Sequence, residues 1–326
     1  MKGVTQLTAH QVKYDSFERR RYPLIYKWGK AGHMDKNYSI VRRLWRIIYP
    51  PVLFMLMQTV FILATIGVIV GLRIAREGAW SLYRIREAVV QETPKLLLHN
   101  PALMLLISNL FCMLIFLPMW VRANNRNEPT RIDNPVKVLL IVAGLFAAFN
   151  VVQSIIFTLI DVTRYFPSYE IVTQLLTSDE LLVQILSVGV ATPIVEELVF
   201  RGILMSRMSW MPQWVSILMQ GILFGAFHMN PLQSLYAFVA GILLGVVYNK
   251  FRSIMTVIIG HSAFNLSGVL LSELASESTA GIIVVASIVV FPICAFMIAK
   301  TPKARILLTE YDLLPMPAIP PTETWD

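Results

Sequence analysis

Charged residues are scarce in this chain, at 15% of 326 positions, where soluble domains carry roughly a quarter. Cysteine is scarcer: only Cys112 and Cys294 occur, each inside an apolar run, so no disulfide framework is expected. Residues 1–46 are polar and basic with no apolar core, and no cleavable signal peptide is read there. No Asp stands within an apolar run, which argues against an intramembrane aspartyl pair. G-x-S-G is absent, which weakens a serine-peptidase reading. H-E-x-x-H is absent as well, and none of the five histidines is followed by Glu, so the familiar helical zinc signature is missing.

Apolar residues fill the space that charge leaves: 56% of the chain, with a mean hydropathy of +0.62. Runs of membrane-spanning length fall at 47–72, 101–121, 138–160, 180–205, 214–229, 232–249, 253–272 and 281–299. The fifth and sixth are short and nearly abut around Pro231. The fold class expected is therefore all-α, a polytopic helical membrane protein with about eight transmembrane helices. The net charge of +8 follows the loops: 21 Lys and Arg lie on one side of these spans and six on the other. The positive-inside rule then puts both termini in the cytoplasm. That distribution explains the basic balance by topology, without nucleic acid; attraction to anionic headgroups is a weaker second reading.

Three regions follow from this pattern. Residues 1–46 form a basic cytoplasmic segment whose end, "YSIVRRLWRII", mixes cations and apolar residues like a headgroup-level anchor. Residues 47–299 make the transmembrane helical domain, with an external loop at 73–100. Residues 300–326 form a Pro-rich cytoplasmic tail. In the sixth run, "GILLG" sets Gly241 and Gly245 four apart, a small-residue pattern for close helix contact.

Away from their ends, the eight runs contain only three charged residues: Glu196, Glu197 and Arg201, all on the fourth. Each costs about 2.5–3.5 kcal/mol at a helix centre on the insertion scale, so each needs a partner, a cavity or a function. Glu197 and Arg201 are four apart with the carboxylate first, the favourable same-face order. Glu196 lies about 100° around the axis and has no such cation. Glu197 is thus the expected ion-pair partner, and Glu196 the free carboxylate. Pro193, one turn earlier, is expected to kink the helix and free the Gly189 carbonyl. His228 closes "FGAFH"; His261 and Asn265 share a helix face in "HSAFN". Counted at about 1.5 Å per residue, Glu196, His261 and Asn265 cluster near the midplane, and His228 sits deeper.

A carboxylate beside imidazoles and an amide can activate water and stabilise an oxyanion. Glu196 would be the base, His228 would hold the water, and His261 with Asn265 would face the oxyanion. The same chemistry admits zinc, with Glu196, His228 and His261 as ligands; the expectation is no metal or other cofactor. A transporter remains a third use of buried ionisable groups.

The ordered set E-E-x-x-x-R at 196–201, F-x-x-x-H at 224–228 and H-x-x-x-N at 261–265, with "PIVEELVFRG" around the first, resembles the CAAX-protease and bacteriocin-processing (CPBP, Abi) family, relatives of type II CAAX prenyl endopeptidases. The resemblance covers roughly 193–270. It implies an intramembrane endopeptidase of about eight spans, with Glu196 activating water, His228, His261 and Asn265 around it, and Glu197 and Arg201 in support. It implies a peptide or membrane-protein substrate in the bilayer, with bacteriocin processing or immunity among the family's roles. Many members are labelled metallopeptidases, so the metal question stays open. The motif style and cytoplasmic N-terminus suit a bacterial plasma membrane. The alternative within the same fold is a non-proteolytic immunity or scaffold protein.

Overall fold

Helices dominate because a backbone in hydrocarbon must satisfy its own hydrogen bonds. The computed structural model describes residues 36–78, 81–124, 130–166, 180–209, 211–274, 276–303 and 305–306. The basic segment before residue 36 and the Pro-rich tail beyond 306 lie outside the described residues. The helices are α1 (Lys36–Glu77), α2 (Leu82–His99), α3 (Pro101–Asn124), α4 (Pro135–Ile160) and the single turn α5 (Val162–Tyr165). They continue with α6 (Leu181–Arg207), α7 (Gln213–Phe227), α8 (Pro231–Phe251), α9 (Ile254–Leu274) and α10 (Glu277–Lys300).

Seven of these are long and apolar enough to cross a membrane, which makes the molecule a multi-pass helical protein. The sequence reading needs three adjustments. The first run extends at both ends, because α1 begins at Lys36 and takes the "YSIVRRLWRII" stretch into the same helix. The sixth run is a full 21-residue helix, α8. The fifth, α7, has only 15 residues, about 22 Å of rise against a hydrocarbon core near 30 Å. The segment 73–100, expected as an external loop, contains α2, held to α1 by Arg73 Nη1 donating to Glu92 at 2.6 Å.

Contacts between helix ends set the layout. Arg207, closing α6, donates from Nη1 to the Arg46 carbonyl in α1 at 2.8 Å. Asn124, closing α3, donates to the Gly202 carbonyl of α6 at 3.0 Å. Strand β1 (Thr130–Arg131), after α3, pairs antiparallel with β2 (Arg305–Ile306), after α10. Lys250, near the end of α8, caps the carbonyls of Ile298 and Ala299 in α10. The start of α1 and the ends of α3, α6, α8 and α10 are thereby gathered at one end of the bundle. Since α6 and α8 both finish there, the short α7 with its flanking turns carries the chain the other way.

The α7–α8 hairpin brings two backbones close together. A Cβ on Gly241 would meet the Cα of Gly221 at 3.2 Å, and one on Gly225 would meet the Ser234 carbonyl oxygen at 2.6 Å. Gly241 of the "GILLG" pair thus faces Gly221 of α7 directly, whereas Gly245 makes room for the Gln220 amide. Replacing Gly225 by Ala sets a methyl against a backbone atom that cannot rotate away. It is expected to destabilise by about 1–3 kcal/mol, whereas Ala at Gly67, with open space around it, should leave stability unchanged. Thermal unfolding in detergent separates the two variants.

Candidate active site

α6 carries the buried charges, and it is not a uniform helix. Widened π segments at Ile185–Ala191 and Leu198–Leu204 flank one regular α-helical segment, Thr192–Glu197, which ends in the two glutamates. Such π segments recur at functional sites because they re-aim side chains. Pro193 shapes the first. Thr192 N–H reaches back five residues to the Ser187 carbonyl, and in that register the next donor belongs to Pro193, which has none. The carbonyl left without a backbone donor is therefore Val188, not Gly189 as a kinked α-helix implied. Asn265 fills the gap, its Nδ2 donating to Val188 O at 2.8 Å.

Glu197 and Arg201 are wholly buried (0% exposed), with Arg201 Nη1 donating to Glu197 Oε1 at 2.7 Å. The same oxygen faces His261 Nδ1 at 2.8 Å. An oxygen that already accepts from a guanidinium can only accept again, so His261 carries its proton on Nδ1. Its other nitrogen, Nε2, stands 3.8 Å from Glu196 Oε2. Glu196 is buried, and this Oε2 makes no hydrogen bond to protein. The division read from helix spacing holds: Glu197 pairs with Arg201 while Glu196 stays available. What spacing did not show is that Glu197 also orients His261.

His228 sits just past the end of α7 and bonds through Nδ1 to the Phe224 carbonyl at 2.8 Å. A carbonyl only accepts, so Nδ1 is the protonated nitrogen and neutral His228 keeps Nε2 as an acceptor. Phe224 joins the two imidazoles, meeting His228 edge-on at 5.1 Å and His261 at 5.7 Å between ring centres, with the Arg201 guanidinium 4.5 Å from its ring centre. The structure thus brings Arg201, His228 and His261 around one aromatic ring, with Glu197 and Glu196 facing the two nitrogens of His261 and Asn265 one turn beyond it on α9.

Several supporting groups escaped the sequence reading. The Gly241 carbonyl accepts from Arg201 Nη2 at 3.1 Å and from buried Gln220 Nε2 at 2.6 Å. Asn109 of α3, fully buried, donates to Thr192 Oγ1 at 2.8 Å and accepts from Gln58 of α1 at 3.2 Å. Thr192 lies four residues before Glu196, so this strap anchors the α-helical segment that carries it. A lone amide in an otherwise apolar run, as at Asn109, was the available signal.

Residues 178–267 match the family model of the type II CAAX prenyl endopeptidases, Rce1-like. The motif resemblance is borne out. The match spans about a quarter of the chain and includes Glu196, Glu197, Arg201, His228, His261 and Asn265. Comparison with curated proteins and with solved structures finds no match. As for zinc, no group of three His, Cys, Asp or Glu side chains among the described residues is placed to hold a metal. His261 Nδ1 is held by Glu197 Oε1, so the ring nitrogen it turns toward Glu196 is Nε2.

Removing one partner of the buried pair leaves the other charge stranded. Arg201→Ala is expected to cost about 3–5 kcal/mol of stability, while Glu196→Gln, which breaks no protein hydrogen bond through Oε2, should unfold close to wild type. Unfolding midpoints in the same detergent check the contrast.

Proposed function

We propose that this chain is an intramembrane endopeptidase of the CAAX type, hydrolysing a peptide bond with water activated by Glu196. The observation that carries the reading is the unequal treatment of two adjacent buried carboxylates. Glu197 is neutralised by Arg201 and turned toward His261, and Glu196 Oε2 is left beside His261 Nε2 with no protein partner. A purely structural ion pair needs neither Glu196 nor the two histidines.

In the proposed reaction, Glu196 takes a proton from water as the water oxygen bonds to the scissile carbonyl carbon. His228 Nε2, kept as an acceptor by the Phe224 carbonyl, holds that water. His261, held through Nδ1 by Glu197, turns Nε2 toward the tetrahedral oxyanion and donates to it once that nitrogen takes up a proton. The remaining Asn265 amide N–H is a second donor, in a role commonly worth a few kcal/mol. Collapse of the intermediate breaks the C–N bond, and the proton on Glu196 passes to the leaving amine. No step needs a metal.

The substrate class that fits is a peptide presented from the bilayer, and the family match makes a prenylated C-terminal peptide the first probe. The excess of Lys and Arg on one set of loops favours a cytoplasmic placement for both termini, in a bacterial plasma membrane by the motif style. Bacteriocin maturation or immunity is the family role that such a placement suits.

Purified protein should cleave a farnesylated, fluorescence-quenched C-terminal peptide. Glu196→Gln should lower the rate by at least about a thousandfold, as loss of an essential general base does, and exhaustive chelation should leave the wild-type rate intact. A Glu196→Gln enzyme of undiminished rate would refute the mechanism; loss of activity on chelation would favour the zinc version.

A further inference from the structure

A second candidate binding site lies away from the glutamates, where α1 around Arg46–Tyr49 meets the ends of α3 and α6. There a cleft of about 370 Å³ is lined by Tyr49, Met119, Arg122, Ala123, Ser206 and Arg207. Two guanidiniums, a phenol and a hydroxyl line it, and among the described residues no carboxylate does. Among the described residues, no carboxylate forms an ion pair with Arg122 or Arg207.

Arg207 is built into position. Nη1 donates to the Arg46 carbonyl at 2.8 Å, Nη2 donates to Tyr49 Oη at 2.7 Å, and the guanidinium carbon is 4.5 Å from the Tyr49 ring centre. Two of its five N–H donors are used, which leaves three on a side chain whose rotamer is already held. A half-buried cation fixed this way and lacking a counter-charge is a poor stability device and a good anion receptor. It also stands in the right layer. Exposed Trp45 and Arg46 lie one turn before Tyr49 on the same α1 edge, the aromatic and cationic pattern of a membrane–water interface. Farther along these helices the exposed side chains are apolar, Val52 and Leu56 on α1 and Leu114 and Leu117 on α3.

We propose that this cleft binds the phosphate of an anionic phospholipid, with the headgroup held by Arg122 and Arg207 and the acyl chains lying along the lipid-facing sides of α1 and α3. A free phosphate ion would use the guanidiniums but not the apolar walls, so the phospholipid accounts for more of the surface. The inference does not depend on peptidase activity.

The test is native mass spectrometry of the full-length protein in detergent, titrated with short-chain phosphatidylglycerol or phosphatidylcholine. Wild type should retain phosphatidylglycerol in preference. Arg122→Gln, which removes a charge without touching the Arg207 contacts, should weaken that retention about fivefold, the worth of one cation at a membrane surface. Arg252→Gln, at the α8–α9 junction, should not weaken it. Equal retention of the two lipids, or of phosphatidylglycerol by wild type and Arg122→Gln, overturns the proposal. Displacement of the lipid by millimolar inorganic phosphate also overturns it, in favour of a soluble phosphate site.

Discussion

The Glu197–Arg201 ion pair is the interaction around which the rest of the molecule is arranged. Two opposite charges with no exposure to solvent need most of their hydrogen-bonding capacity met nearby, although Arg201 Nε and Glu197 Oε2 keep no protein partner. That requirement accounts for much of the surrounding packing. The Gly241 carbonyl must be reachable by Arg201 Nη2, so α8 must approach closely, and the glycines of the α7–α8 hairpin permit it. Gln220 shares that carbonyl. Phe224 covers the guanidinium, and its ring then separates and faces both histidines. His261 meets the carboxylate from α9. Four helices are thus committed to one buried pair.

The pair gains a chemical consequence from its neighbour. Adjacent residues on a helix point about 100° apart, so placing Glu197 toward Arg201 necessarily places Glu196 elsewhere. Here it points toward His261 Nε2 while Glu197 holds Nδ1. One imidazole spans the two carboxylates, bonded to one and near the other. The widened segments on either side of Thr192–Glu197 serve the same end, since they let the chain enter and leave this segment without forcing its phase on the flanking residues.

Much of the site was legible in the primary structure for a simple physical reason. Charge inside hydrocarbon is so costly that Glu196, Glu197 and Arg201 stood out by being there, and the i,i+4 rule then assigned the pair. His228, His261 and Asn265 stood out in the same way. The identity of Asn265's partner was not legible, because it depends on a π register that no side-chain pattern encodes. An α-helical count pointed to the Gly189 carbonyl, and the wider register moved the gap by one residue to Val188. The Gln58–Asn109–Thr192 strap was hidden for another reason: its members come from three helices whose adjacency only folding establishes.

The sequence by itself determined the class of molecule, the position of nearly every long helix, and which buried charges neutralise each other. Each rests on a local rule of period, length or transfer cost. Tertiary structure alone decided how the 15-residue α7 runs, away from the end of the bundle where α6 and α8 both finish. It alone decided which proton each histidine holds, since that follows from the oxygen facing Nδ1 in each case: a carboxylate from another helix for His261, and a backbone carbonyl one turn back for His228.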